Sequence, residues 1–330
     1  MRIILPILLL PCLILFSCNN PSRPPVSEKE KRSDIKIPDF NADSAYRFIK
    51  EQLDFGPRVP NSVAHEKCAA YLAGKLKGYL KEVTVQKGQV KAYNGTVLNF
   101  KNIIGSYNPG SNDRIFLCSH WDSRPFADHD PDPKNRIKPV PAANDGASGV
   151  GILIEIARQL SLAKPQIGVD LILFDVEDYG PPEDEKNNSD PGEWWGLGSQ
   201  YWSHQPHVEN YFAKYGILLD MVGTAGATFL MEGISMQYAP DIVDKVWKTG
   251  NRIGYSAMFL FEKGNYITDD HYYINKIMNI PTIDIIHLER EGKTGFYHTW
   301  HTTGDDLATI DKYTLKAVGQ TLLTVIFEER

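Results

Sequence analysis

The chain has 330 residues, of which 42% are hydrophobic and 23% charged, and its formal net charge is −6. This composition is typical of a globular protein and excludes a collagen-like, low-complexity or wholly disordered chain. An isoelectric point of about 5.9 argues against a nucleic-acid-binding protein, which usually presents a basic face. The length suffices for one large α/β domain or two smaller ones.

The N-terminus has the pattern of an export signal. Arg2 precedes a short apolar run over 3–16, and a small residue then stands directly before Cys18. This arrangement resembles a bacterial lipoprotein processing site, in which Cys18 would be diacylated; an ordinary signal peptide or a membrane anchor is the alternative. We therefore predict a lipoprotein-type signal peptide over 1–18 and a flexible tether over 19–37. The protein would be periplasmic in a bacterial cell envelope and attached to a membrane by its lipid.

The part of the chain after residue 37 carries helical and strand periodicity without a further domain boundary. In chain order the pattern predicts a helix over Ala42–Leu53, a helix over about Ala64–Leu80, strands over Val83–Ala92, Val97–Tyr107 and Arg114–Ser119, a helix over Ala147–Leu160, strands over Asp170–Phe174, Tyr215–Leu219 and Pro281–His287, and a closing helix over Lys312–Glu328. Alternating strands and helices favour an α/β fold. We predict a single domain over 38–330 with three α/β/α layers and a central mixed, mostly parallel twisted sheet.

Two cysteines fall within this predicted domain, Cys68 and Cys118. An oxidising envelope permits a disulfide between them but does not establish one. Because Cys118 lies in an apolar run, we expect a small buried thiol there.

Histidine and carboxylate side chains follow several of the predicted strands. In open α/β sheets, binding sites collect beyond the carboxyl ends of the strands. The residues at these strand ends are His120, Asp122, Glu177, Asp178 and Asp220. A Gly-rich loop carries Asp145, and a polar loop carries His301. Each alone is consistent with a helix cap or a surface residue. Together they predict a zinc site, because zinc binds imidazole nitrogen and carboxylate oxygen, with an unligated carboxylate beside it for acid/base work.

The ordered set resembles the zinc aminopeptidase and glutaminyl cyclase superfamily, from about residue 40 to the end. It comprises Phe55-Gly56-Pro57-Arg58, His120-x-Asp122, Asp145 with the Gly-Ala-Ser-Gly that follows, Glu177-Asp178, Gly196-Leu197-Gly198-Ser199, Asp220 and His301. In the aminopeptidase branch the resemblance implies two zinc ions bridged by Asp145, with His120, Asp178, Asp220 and His301 as terminal ligands. In the cyclase branch it implies one zinc on Asp145, Asp178 and His301. Glu177 matches the general acid/base of both branches.

Four features resemble the cyclase branch more closely. Trp300 directly precedes His301, with Phe296 upstream, and Trp194 and Trp195 fall where that family carries a pocket tryptophan. Ile267 and Asp269 lie in a run that resembles a cyclase motif whose first aspartate shares a hydrogen-bond network with the acid/base, and Asp220 matches the other network carboxylate. Each has a plainer alternative, such as a packing aromatic or a helix cap. One departure is Glu177-Asp178, because the family's usual pair is Glu-Glu. The polar insertion over 181–193 is unmatched by the aminopeptidase pattern.

The resemblance therefore implies a glutaminyl-peptide cyclotransferase, an acyltransferase that acts on peptides or proteins with N-terminal Gln. One zinc ion is expected, with His120 hydrogen-bonded within the site; two are expected if the chain is an aminopeptidase. A non-catalytic binding lipoprotein is a third alternative, but such a protein would be expected to have lost the base or a ligand. No nucleic-acid partner is expected, and we expect a monomer.

Overall fold

The computed structural model describes residues 36–182, 193–291 and 294–329. The predicted signal peptide, Cys18 and nearly all of the predicted tether lie outside the described residues, as does most of the insertion over 181–193. Lys36–Arg330 forms one compact unit. Within the described ranges, no helix has both the length and the apolar character needed to span a bilayer.

A six-stranded sheet forms the centre of the domain, in the order β1-β2-β4-β3-β5-β8. The strands are β1 Glu82–Lys91, β2 Val97–Tyr107, β3 Arg114–His120, β4 Gly168–Phe174, β5 Gly216–Asp220, β6 Phe229–Met231, β7 Phe259–Lys263 and β8 Thr282–Ile286. Strand β2 pairs antiparallel with β1 and β4, whereas the β4–β3, β3–β5 and β5–β8 pairings are parallel. Strands β6 and β7 form a separate parallel pair. The predicted mixed, mostly parallel sheet is confirmed.

The helices cover both faces of the sheet. They are α1 Ala42–Leu53, α2 Val63–Tyr79, α3 Ala147–Ala163, α4 Leu197–His204, α5 Gly233–Tyr238, α6 Pro240–Arg252, α7 Asp270–Met278 and α8 Lys312–Glu328. Side-chain oxygens cap the N-termini of several helices. Asn41 accepts a hydrogen bond from Ser44 N before α1, and Asp311 accepts one from Thr314 N before α8.

Strand β3 shows how the layers are built. Its alternate residues face opposite sides of the sheet. Leu117 belongs to the large core that includes residues of α1, α2, α3, α6 and α8. Phe116 and Cys118 belong to the second core, with Trp202 of α4 and Ile274 of α7. The three-layer α/β/α prediction is therefore confirmed, and Cys118 is the buried thiol that was expected; it and Cys68 are both free.

The predicted elements agree closely with the structure. The bounds of α1, β2 and α8 are those predicted, and the other predicted elements end within three residues of their observed bounds. The structure adds α4 to α7 and the β6–β7 pair, which the periodicity analysis did not identify.

A buried carboxylate joins the added elements to the cleft described below. Glu232 precedes α5 and accepts hydrogen bonds from Ile234 N and Ser235 N. It also accepts from Ile267 N at 2.8 Å and lies 3.1 Å from Nε2 of His271 at the start of α7. Burial alone would raise the pKa of Glu232, but the contact with His271 and the other hydrogen bonds outweigh it and lower the pKa to about 2. One side chain therefore fixes α5, α7 and the loop between β7 and α7.

Candidate metal centre and active site

The parallel strands bring their carboxyl ends to one edge of the sheet. His120 is the last residue of β3 and Asp220 is the last residue of β5, and the loop before α3 places Asp145 between them. Nε2 of His120 lies 2.9 Å from Oδ1 of Asp145 and 3.3 Å from Oδ1 of Asp220. All three side chains are buried. These three residues can offer ligand atoms to one metal ion.

A second possible metal-binding triad lies beside the first. Nε2 of His301 is 3.3 Å from Oδ1 of Asp178 and 3.7 Å from Oδ2 of Asp145. Asp145, Asp178 and His301 can also offer ligand atoms to one ion. Asp145 thus belongs to both triads, with Oδ1 toward His120 and Oδ2 toward His301. That is the arrangement of a carboxylate able to bridge two ions.

The donor set fits a zinc ion. Imidazole nitrogens and carboxylate oxygens are zinc's usual ligands together with thiolate. Oδ2 of Asp178 and Oδ1 of Asp220 are buried and have no hydrogen-bond partner among the described residues. Burial, with Asp178 and Asp220 close by, raises the pKa of Asp145 to about 6. A divalent cation would offset this repulsion and use the unpartnered oxygens.

Gly146 allows the Asp145 loop to approach His120 closely. A Cβ at this position would overlap the imidazole of His120. Helix α3 begins directly afterwards with no side-chain cap, so Asp145 is not the helix cap that would have been its plainer explanation. Asp269 does cap α7, because its side chain accepts from Asp270 N.

Asp122 holds the two acidic residues that follow β4. Its Oδ1 accepts from Glu177 N at 3.1 Å, and its Oδ2 accepts from Asp178 N at 3.2 Å. Oδ1 also lies 3.4 Å from Nδ1 of His120. Val176, just before this pair, has φ of 53°, a left-handed conformation that is rare for a β-branched residue. The strand end is therefore turned so that both Glu177 and Asp178 reach the cleft.

Glu177 is an acid/base candidate by its surroundings. Burial and the nearby carboxylate of Asp269 raise its pKa well above the usual range. Burial and Asp220 in turn raise the pKa of Asp269. Asp178 behaves differently: burial opposes its charge, but His301 and Arg124 outweigh burial and lower its pKa. Adjacent carboxylates thus have opposite tendencies, one toward holding a proton and one toward staying ionised.

These groups lie in one cleft of about 240 Å³. Aromatic rings form part of its wall. The Trp300 ring stacks on His301 with centroids 3.8 Å apart, and Phe296 lies 4.6 Å from Trp300. The Trp195 ring lies nearly parallel to the His301 ring, with centroids 6.4 Å apart and an interplanar angle of 14°.

The cleft brings together most of the residues predicted from the sequence. Those on its surface are Asp145, Glu177, Asp178, Trp195, Asp220, Ile267, Asp269, Phe296, Trp300 and His301. His120 is buried behind Asp145 and Asp220, and Asp122 behind the Glu177 backbone. Trp194 is half-buried and is not among the lining residues. The roles assigned to all these residues remain predictions.

Several cleft residues were missed by the sequence analysis. Arg124, Asp128, His129, Met221, Tyr266, Thr268 and Ile286 also line it. Asp305 lies outside the cleft but accepts from Asn144 N and Asp145 N at 2.9 and 3.1 Å, which fixes the Asp145 loop. One sequence pattern could have indicated Arg124, because it continues the two-residue spacing of His120 and Asp122.

Comparison with known proteins agrees with this geometry. Residues 102–326 match the model of peptidase family M28. A glutaminyl cyclase of Bacteroides thetaiotaomicron, solved with N-acetylhistamine bound, is 53% identical and superposes with a TM-score of 0.85, covering 89% of this chain and 100% of that chain. A Zn-dependent exopeptidase of Parabacteroides distasonis is 50% identical with a TM-score of 0.86, covering 88% and 99%.

Curated relatives are more distant. The bovine glutaminyl-peptide cyclotransferase is 24% identical over 266 residues, 70% of this chain and 66% of that protein. The chain spans 40% and 54% of the length of two other curated relatives, the second being an aminopeptidase of Bacillus subtilis.

Proposed function

The chain belongs to peptidase family M28, and we propose that it is a glutaminyl-peptide cyclotransferase. The enzyme would convert the N-terminal Gln of a peptide or protein to pyroglutamate. The free α-amine attacks the γ-carboxamide carbon, a new C–N bond closes a five-membered ring, and the bond to the amide nitrogen breaks. Ammonia leaves, so the reaction is an acyl transfer from one nitrogen to another.

The observation that carries this proposal is an aromatic slot, formed by the rings of Trp195, Phe296 and Trp300 in the same cleft as the Asp145, Asp178 and His301 triad. The Trp195 and Trp300 rings both lie nearly parallel to the His301 ring, and Phe296 packs on Trp300. Nucleophile and electrophile belong to one residue in this reaction, so the enzyme needs to hold a single folded side chain in attack geometry. Such positioning can supply several kcal/mol of the barrier, on the order of 7 in favourable cases. Two solved relatives that are about half identical to this chain are named glutaminyl cyclases, which supports the same reaction, whereas two others of similar identity are named as peptidases.

Asp145, Asp178 and His301 would hold one zinc ion at the base of the slot. When bound, zinc would act as a Lewis acid on the γ-carboxamide oxygen. The aromatic walls would exclude water from the folded Gln side chain and fix its rotamer.

Glu177 would move the proton. Its raised pKa suits a group that accepts a proton from the α-amine and delivers it to the leaving nitrogen. Asp269 would act on Glu177 through its charge, and Asp220 would act in the same way on Asp269.

An aminopeptidase with a two-metal site is the second candidate. One specific observation favours it, namely the additional triad of His120, Asp145 and Asp220 beside the first. Two ions bridged by Asp145 could activate a water and bind the leaving group. In the cyclotransferase, His120 would instead remain hydrogen-bonded to the carboxylates around it.

Mass spectrometry separates the two candidates. The purified full-length chain is incubated with a Gln-initiated peptide, with and without a zinc chelator. Chelator-sensitive loss of one ammonia from an otherwise intact peptide is the expected result. Release of the N-terminal amino acid would instead establish the aminopeptidase, and an unchanged peptide would contradict both activities.

Substitution of Glu177 tests the assigned proton carrier. Glu177→Gln keeps the size of the side chain but cannot accept a proton. We expect turnover to collapse while the zinc content per chain stays at the wild-type value. Normal turnover would remove Glu177 from this role.

We also propose that the chain is a lipoprotein of the bacterial envelope, attached through Cys18. The apolar run that ends at this cysteine supports the proposal. Incorporation of a labelled fatty acid in cells should occur in the wild type and be absent in Cys18→Ser. Equal labelling of both proteins would contradict it.

A further inference from the structure

Arg124 is a buried arginine that the reaction described above does not use. It follows β3 by four residues and is 1% exposed. A buried guanidinium is stable only when its charge and its donors are matched. Its contacts therefore indicate what the surrounding structure requires of it.

The first set of contacts is to Asp178. Nη1 donates to Oδ1 of Asp178 at 3.1 Å and to the carbonyl oxygen of the same residue at 3.4 Å. Longer contacts reach the carbonyl oxygens of Gly180 and Pro181 at 3.5 and 3.4 Å. Arg124 thus contacts both the carboxylate of this candidate ligand and the backbone that follows it.

The second set of contacts is to Asp128. Nε and Nη2 donate to its two oxygens at 2.8 and 2.7 Å, a bidentate pair. Oδ1 of Asp128 lies 3.4 Å from Nδ1 of His301. A negative charge at that position favours the tautomer with the proton on Nδ1, which leaves Nε2 available to a metal.

The loop that carries Asp128 is also joined to the loop of His301 by hydrogen bonds. His129 N donates to the carbonyl oxygen of His301 at 3.2 Å. Asp130 accepts from the backbone N and the hydroxyl of Thr303 at 2.9 and 2.6 Å. A change in the position of Asp128 would therefore reach His301 through the backbone as well as through charge.

Asp128, His129 and His301 could by themselves be taken for a third metal site. Arg124 argues against this interpretation, because it already binds both oxygens of Asp128 and places a positive charge beside them. The cluster is better explained as support for the imidazole of His301.

We propose that Arg124 is the positioning residue that holds Asp178 and His301 in the arrangement the metal requires. The proposal rests on the metal site of the proposed function. The guanidinium lies 5.0 Å from the Trp195 ring as well, so the same residue supports the substrate wall.

Zinc affinity tests the proposal directly. Arg124→Lys keeps the charge but loses the planar fork that spans two carboxylates. Supporting residues of this kind typically change metal affinity by about 10- to 100-fold. In the full-length chain, competition with a chromophoric chelator should show a zinc dissociation constant raised by about that factor in Arg124→Lys. The absorption spectrum of the cobalt(II)-substituted protein should change too, because it reports ligand geometry.

Arg114→Lys is the matched control. Arg114 is the first residue of β3, the strand that precedes Arg124, is also buried, and pairs with Asp170 at 2.7 Å and with three backbone carbonyls. It lies at the opposite edge of the sheet from the metal site. We expect wild-type zinc affinity and an unchanged cobalt spectrum in this variant, although it makes the same substitution in another buried arginine–aspartate contact.

Asp128→Asn provides a second variant if Arg124→Lys does not fold. It removes the charge beside His301 and leaves Arg124 in place, and it should also weaken zinc binding. Wild-type zinc affinity and cobalt spectrum in folded Arg124→Lys, or in Asp128→Asn where the first does not fold, would overturn the proposal. Failure of the proposed function is distinguishable, because it would appear as wild-type protein that binds zinc but leaves a Gln-initiated peptide unchanged.

Discussion

Asp122 is predicted to be essential for placing the acid/base and a metal ligand, although it touches neither substrate nor metal. Its two carboxylate oxygens accept the backbone N–H groups of Glu177 and Asp178, at 3.1 and 3.2 Å, and the residue is fully buried. Asp122→Asn replaces one of these acceptors with an NH₂ group. One backbone N–H then faces another donor in a place that water does not reach.

The expected cost follows from these contacts. Hydrogen bonds to a charged group contribute about 1.5–3 kcal/mol each, and a buried donor left without a partner costs about 1–3 kcal/mol. We therefore expect the free energy of unfolding to fall by about 3 kcal/mol. If Glu177 relaxes by about 1 Å, turnover should fall by roughly 10²-fold.

Urea unfolding of the zinc-free full-length chain measures the first quantity, and the Gln-peptide assay measures the second. Asp306→Asn is the matched control. Asp306 accepts from Ala308 N at 2.8 Å at the exposed start of the 3₁₀ turn Leu307–Thr309, where an Asn oxygen can accept equally well. The reasoning is refuted if Asp122→Asn unfolds within about 0.5 kcal/mol of the wild type, the range of an ordinary surface substitution, and turns over normally.

Three further predictions follow from the same structure. Gly146→Ala would place a Cβ against the ring of His120 and should abolish zinc binding. Its control, Gly74→Ala on the open face of α2, should bind zinc and stabilise the protein by about 0.5–1 kcal/mol. Equal zinc contents in the two variants would contradict the role of Gly146. Because hydrogen bonds hold the pKa of Glu232 at about 2 in the folded protein, against an ordinary 4.5, it contributes stability above pH 4.5 that is lost as the pH falls toward 2. The difference in unfolding free energy between wild type and Glu232→Gln should shrink by up to about 3 kcal/mol over that interval, and a constant difference would exclude the linkage. Trp300→Ala should raise KM for a Gln-initiated peptide by about tenfold with zinc retained, since an aromatic contact contributes up to about 1.5 kcal/mol; an unchanged KM would remove Trp300 from the wall.

The elements that the sequence predicted are long enough to show a run of apolar residues, continuous in a strand covered on both faces or periodic in a helix. Strands β3 and β4 are apolar along most of their length because both faces of each are covered, and α1 and α8 carry side-chain caps at their first turns. The missed elements differ. Helix α5 has six residues and β6 has three, too few to display a period. Helix α6 could have been predicted from the sequence. Pro240 stands in its first turn, and its buried face follows helical spacing at Val243, Val246, Trp247 and Gly250.

The ligand candidates were predictable for a topological reason. Once β3, β4 and β5 are parallel neighbours, residues at or just beyond their carboxyl ends must meet, whatever their separation in the chain. The contacts of the supporting residues have no such signal, even for Asp122, whose place after β3 had marked it as a site candidate. Asp122 bonds to a backbone 55 residues away, and Asp305 to one 160 residues away. Such contacts depend on loop geometry that no local pattern encodes.

The backbone of the site shows why this part of the prediction must come from tertiary structure. Val176, Met221 and His301 adopt φ values of 53°, 48° and 54°, in the left-handed region that favours glycine. Each stands beside a candidate acid/base or ligand, or is one. Non-glycine residues in this region cost on the order of 1–3 kcal/mol each and persist only where their surroundings impose them. Local propensity at these positions therefore predicts a negative φ. The contacts of the folded chain impose the positive φ that turns the side chains of the site inward.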